Sequence, residues 1–195
     1  MQGSAMPPLE FSAVVLAAGH STRMGSDKAL LEFAGVALWR RQHAMLRQAG
    51  AAEIFISARE EQLWAQGEHV VRDAVAGGGP LGGLVAALER AAHGHLAVLA
   101  VDLPNMEAKW FQSLLAECSA GVGAVARRTG NGDFFEPLAA VYPREILGLA
   151  RAAVARGEFS LQRLLVAAEA EQLMRVRRLR ADESVMLENW NEPVR

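Results

Sequence analysis

The chain has 195 residues, a formal net charge of −2 and 51% apolar residues, enough to bury one sizeable core, so a single domain is expected. A charge so near neutral argues against a nucleic-acid partner, because dedicated nucleic-acid binders carry a basic excess. No apolar run approaches the roughly 20 residues of a membrane helix, and the opening "MQGSAMPPLEF" lacks the basic and apolar regions of a secretory signal. With Cys118 the only cysteine, no internal disulfide can form, in keeping with a reducing compartment. These features predict a soluble, cytoplasmic protein with no membrane partner, in which residues 1–10 form a disordered lead-in.

In chain order, the β-branched pair Val14 and Val15 predicts a buried strand that ends where an irregular loop, "LAAGHSTRMGSDK" (Leu16 to Lys28), begins. A helix is expected from about Ala37 to Ala49, ended by Gly50, followed by "EIFIS" as a short strand and a weaker helix around Glu60 to Gln66. Next come a short "HVV" strand, the glycine-rich "DAVAGGGPLGG", a helix from about Leu81 to Ala92, and "HLAVLAVD", whose continuous apolar run suits a strand covered on both faces. A helix over Ala108 to Glu117 leads to strands "VGAVARR" and "PLAAVY". The last third predicts helices over about Arg144 to Arg156 and Leu161 to Ala170, with "LMRVRRL" as an edge strand. Strand-helix alternation of this kind implies an α/β fold, a mostly parallel sheet with helices on both faces.

Ligands of open α/β sheets bind beyond the C-terminal ends of the strands, which is where the Leu16 to Lys28 loop lies. It is not a Walker loop, since Ser26 and not lysine follows Gly25, and a dinucleotide-binding G-x-G-x-x-G is also missing. What remains are small residues at Ala17, Ala18 and Gly19 that let phosphates approach the backbone, with Arg23 and Lys28 as cations. Asp102 follows the "HLAVLAV" strand, a position from which a carboxylate can reach the same crevice; a turn ahead of Pro104 is the competing explanation. His93 and His95 flank a glycine with no further ligand nearby and do not predict a metal pair. The run "RVRRLR" has no interleaved aromatics and reads as the solvated face of an edge strand, and Cys118 reads as packing.

The segment "LAAGHSTRMGSDKALL" resembles the signature of the molybdenum cofactor guanylyltransferases, and "RDAVAGGGPLGGL", "VDLP", "EPLAAVYPREI" and "NWNEP" follow in that family's order. Ala18 departs from it, standing where members usually carry a second glycine and where related cytidylyltransferases often carry alanine. The resemblance implies a three-layer Rossmann-like nucleotidyltransferase fold over residues 11–195 and transfer of GMP from GTP to molybdopterin, with Mg2+ and release of pyrophosphate. It further implies that Leu16, Ala17, Ala18, Gly19, Lys28, Asp73, Gly79, Pro80, Leu81 and Asp102 hold the nucleotide, with Asp102 as the metal ligand. Arg23, Lys28 and Asp102 would serve catalysis, and Asn189 and Asn191 would contact the substrate phosphate or the metal shell. Asp73 would select guanine by accepting from its N1–H and exocyclic amine. Transient contact with molybdenum cofactor insertion or target enzymes would accompany the activity. A molybdopterin cytidylyltransferase, another small-molecule nucleotidyltransferase and a noncatalytic nucleotide-binding module remain open as alternatives.

Overall fold

The computed structural model describes residues 9–19, 27–73, 75, 77–129 and 132–190. Their strands are β1 (Ser12–Leu16), β2 (Glu32–Phe33), β3 (Val36–Ala37), β4 (Glu53–Ser57), β5 (Val70–Val71), β6 (His95–Ala100), β7 (Gly123–Arg128), β8 (Phe134–Phe135), β9 (Ala139–Pro143) and β10 (Met174–Arg178). The helices are α1 (Leu38–Ala49), α2 (Gly79–Arg90), α3 (Ala108–Leu115), α4 (Leu147–Ala155) and α5 (Leu161–Ala170). All strands but β2 and β3 join one sheet in the order β10-β7-β9-β6-β1-β4-β5, with β8 on β7. Pairing is parallel except where β9 meets β6 and β7 and where β8 meets β7.

Successive residues of a strand face opposite sides of a sheet, and here both sides are apolar. Ala13, Val15, Ile54, Ile56, Ala97 and Leu99 join one core with residues of α1 and α3. Val14, Phe55, Leu96 and Val98 join the other with residues of α2, α4 and α5. Burial on both faces is why these strands read as unbroken apolar runs and not as alternating ones. The layers are therefore helix, sheet, helix, as expected.

The sheet order locates the crevice. From β1 the chain moves to β4 and β5 on one side, then returns to place β6 on the other, so neighbouring connections diverge between β1 and β6. Such a reversal opens a gap beyond the strand ends. The ends are level: Leu16 pairs with Ser57 and with Ala100, and Ser57 pairs with Val71.

Several boundaries differ from expectation for identifiable reasons. Helix α2 starts at Gly79, ahead of Leu81, because Pro80 sits in its first turn, where a missing N–H costs nothing. The segment expected as a helix over Glu60 to Gln66 is a single 3-10 turn, Leu63–Ala65, tied by side chains to a distant loop. The helix expected from Arg144 begins with a 3-10 turn, Arg144–Ile146, before α4. The hairpin β2–β3 turns through Ala34 and Gly35, both at positive φ, and a further 3-10 segment, Ala181–Leu187, follows β10.

The "RVRRLR" run does form an edge strand, but it is not uniformly solvated. The Arg177 side chain is 10% exposed, lies 4.7 Å over the Trp110 ring, and gives Glu183 two hydrogen bonds of 2.7 and 2.9 Å. Burial pushes the Glu183 carboxyl up, but the Arg177 guanidinium and the Arg180 N–H outweigh it and hold the group below the usual carboxylate range. This pair fastens the C-terminal segment to the sheet edge, and Met186 and Leu187 fill the core behind it.

Candidate nucleotide site

A cavity of about 810 Å³ opens beyond β1, β4, β5 and β6. Of the residues expected to hold a nucleotide, Leu16, Ala17, Ala18, Gly19, Lys28, Asp73, Gly79, Pro80 and Asp102 line it. Each ends or follows a strand, begins α2 or, for Lys28, begins the 3-10 turn Lys28–Leu30, so the strand ends gather residues up to 86 positions apart in sequence, as the span from Leu16 to Asp102 shows. Leu81 does not join them through its side chain, which is fully buried in the core under α2. Arg23 and Asn191 lie outside the described residues.

On the β1/β6 side, Lys28 Nζ donates to Asp102 Oδ2 at 2.9 Å. Both side chains keep partial access to solvent, 26% and 21%. Asp102 itself sits two residues past β6, and its carbonyl accepts the Trp190 N–H at 2.9 Å. Trp190 stacks edge-on against Phe33 at 5.6 Å, so the chain at Trp190 meets Asp102 by its backbone. Asn189 is exposed there and is not among the cavity's lining residues.

On the β4/β5 side the chemistry is different. Asp73 Oδ1 lies 3.4 Å from the Ser57 hydroxyl, and burial raises the Asp73 carboxyl above its usual range, an effect the Ser57 hydrogen bond only partly offsets. Glycine makes this packing feasible. A Cβ on Gly82 would come within 3.0 Å of the Asp73 carboxylate, and one on Gly83 within 2.8 Å of Ser57 Oγ. The double glycine lets α2 lie directly on the strand ends, with its N-terminus at the cavity.

Among the described residues no group of three or more His, Cys, Asp or Glu side chains is arranged to hold a metal ion. Magnesium does not require one: it binds through one or two carboxylates and completes its shell with water and substrate phosphates. Asp102, a hard oxygen donor on the cavity wall, fits that demand. His95 Nε2 faces the carbonyls of Ser119 and Val122, at 3.0 and 3.1 Å. Burial pushes the Cys118 thiol up to about 12, which keeps it protonated and inert.

Sequence reasoning missed Ser57, Arg59 and Arg72 on the cavity wall. Arg59 Nη1 donates to the carbonyls of Ala18 and Gly19 at 2.5 and 2.8 Å. The signal that would have found them is the one that found Asp102, a polar residue just past the end of a parallel strand.

The model of the MobA-like NTP transferase domain matches residues 13–174. The chain belongs to that family. A probable molybdenum cofactor guanylyltransferase of Opitutus terrae is 44% identical over 186 residues, covering 93% of this chain and 91% of the relative. The molybdenum cofactor guanylyltransferase of Pseudomonas putida is 35% identical over 195 residues, covering 98% and 97%. Among solved structures, molybdopterin-guanine dinucleotide biosynthesis protein A of Archaeoglobus fulgidus superposes with a TM-score of 0.71 at 19% identity, covering 93% of each chain. As a member of the MobA-like NTP transferase family the chain is a nucleotidyltransferase, and its sheet and flanking helices are the Rossmann-like arrangement expected from its sequence.

Proposed function

We propose that this nucleotidyltransferase transfers GMP from GTP to molybdopterin, forming the molybdopterin guanine dinucleotide. The observation that carries the proposal is the pairing of opposite chemistries across one cavity: Lys28 with Asp102 at one wall, Asp73 with Ser57 at the other. The names of relatives that share 44% and 35% of their residues with this chain support the same reading. A terminal phosphate oxygen of molybdopterin attacks the α-phosphorus of GTP, the bond from that phosphorus to the bridging oxygen breaks, and pyrophosphate leaves with the electron pair. Both reactants are anions, so the protein's task is to neutralise charge and hold the line of attack, with no side chain acting as nucleophile.

Lys28 neutralises the triphosphate as a compact point charge. Asp102 would hold a magnesium ion, which would supply neutralisation of the phosphate charge. The backbone of Leu16, Ala17, Ala18 and Gly19 and the α2 entry at Gly79 and Pro80 contact the nucleotide, and Arg23 assists the departing pyrophosphate. Asn189 and Asn191 meet the phosphate of the acceptor. Asp73 selects guanine, whose two adjacent donors match a carboxylate, whereas the N3 lone pair of cytosine would face it unfavourably. A cytoplasmic location, where GTP is supplied, and transient contact with the enzymes that insert or receive the cofactor complete the proposal. The chain has no described helix long and apolar enough to cross a membrane.

Pyrophosphate release, measured with molybdopterin, magnesium and each of the four nucleoside triphosphates, tests the proposal. Release with GTP alone is expected. Equal or greater release with CTP would transfer the assignment to the cytidylyltransferases, the reading that Ala18 favours, and triphosphate binding without release would leave a noncatalytic binding module.

A further inference from the structure

The loop that ends in Lys28 is tied at both ends by one buried side chain that no sequence motif marks. Gln62, 5% exposed, donates from Nε2 to the Ala17 carbonyl at 3.0 Å and to Asp27 Oδ2 at 2.8 Å. Its Oε1 accepts the Arg59 N–H at 2.7 Å. A backbone N–H can only donate, so the oxygen must face Arg59, and the amide orientation is fixed. Trp64 Nε1 donates to the same Asp27 oxygen at 2.7 Å, while Asp27 Oδ1 accepts the Ala29 N–H at 3.0 Å and caps the 3-10 turn Lys28–Leu30. From that turn Lys28 Nζ reaches Asp102 at 2.9 Å.

We infer that Gln62 is a positioning residue for the reaction: by joining Ala17 to Asp27 it sets Lys28 in register with Asp102. The inference rests on reading the cavity as a nucleoside triphosphate site. Its logic is that of donors. The carbonyls of Ala17, Ala18 and Gly19 would repel an incoming phosphate, and all three are occupied by the Gln62 amide and the Arg59 guanidinium of one turn. Leucine at position 62 keeps the volume and loses both donated bonds. Glutamate keeps the acceptor for Arg59 and sets a second carboxylate against Asp27, so it should disturb the loop more than leucine does.

Three measurements on the full chain test this: amide exchange in the free protein, calorimetric affinity for GTP and for guanosine, and thermal midpoint. In Gln62→Leu, exchange at Ala29 and Leu30 should rise by about tenfold, the effect of roughly one lost hydrogen bond, with Val98 in β6 unchanged. GTP affinity should fall by about tenfold or more while guanosine affinity stays the same, since only the phosphate side is disturbed. Gln62→Glu should exceed both effects. Trp64→Phe, which keeps the ring packed on Trp39 and removes one donor to Asp27, should shift both in the same direction by less and serves if the Gln62 variants do not fold. A lowered thermal midpoint with unchanged exchange at Ala29, or an equal loss of GTP and guanosine affinity, overturns the inference. Failure of the wild type to bind any triphosphate would instead overturn the functional proposal, and the exchange result would still decide whether Gln62 orders the loop.

Discussion

Asp102 and Asp73 both follow strands of one sheet and both line one cavity, yet their surroundings set them apart. Asp102 meets the ammonium of Lys28 at 2.9 Å. Asp73 meets a neutral hydroxyl at 3.4 Å, lies where a Cβ on Gly82 would come within 3.0 Å of it, and has its carboxyl raised by burial. The lesson is that residue type does not assign the role. A carboxylate beside a cation suits a wall where charge is gathered and neutralised, as a phosphate and a hard metal ion require. A carboxylate without such compensation is held at a cost, and a ligand that offers two donors relieves that cost, which is the basis of selection by polar pairing.

The comparison breaks most visibly at Asp102. Asp102→Asn keeps the shape and removes the charge, and turnover should fall by on the order of a hundredfold or more, as when a key electrostatic group is lost. Near-normal rates at low magnesium would remove the metal assignment from this wall. Lys28→Ala should weaken GTP binding by about tenfold or more, the scale of a charge-assisted contact, with Lys28→Arg restoring only part because a planar fork does not replace a compact ammonium. Calorimetric GTP affinity checks it, and an unchanged value for the alanine variant would reduce the Lys28–Asp102 pair to a surface ion pair.

Much of the frame of this site was legible from sequence because its causes are local. Strands β1, β4 and β6 announce themselves as apolar runs since both sheet faces are covered, Asp102 is a polar residue just beyond such a run and Lys28 a cation in a glycine loop, whereas Asp73 was legible only through the family resemblance. What escaped has distant causes. Gln62 bonds residues 45 and 35 positions away, and nothing in "REEQLW" signals a partner at Ala17 or Asp27. The β2–β3 hairpin turns through Ala34 at φ 51°, where Asn or Asp would have given the usual signal. Leu81 followed the expected helix entry, but the helical rotation set by a start at Gly79 turns its side chain into the core.

The smallest effect is the most informative about the second wall. Asp73→Asn replaces one acceptor with a donor, so the preference for GTP over the other triphosphates should fall, measured by competing them for pyrophosphate release. Its stability effect has a definite sign. The Asp73 carboxyl is raised in the folded state, which binds its proton more tightly than the unfolded chain does, so the wild type gains from protonation and loses that gain as pH rises through the raised value. Above that value the wild type carries a half-buried charge that asparagine does not, and below the ordinary aspartate range both proteins are neutral at this position. The thermal midpoint of Asp73→Asn should therefore exceed the wild type's at neutral pH, and the two should converge in acid. Adding GTP should reverse the order at neutral pH, because a ligand stabilises the protein that binds it more tightly. If Asp73→Asn were less stable than the wild type without nucleotide, the carboxylate would be serving the strand end and α2 as a structural acceptor, and the contrast with Asp102 would lose its electrostatic basis.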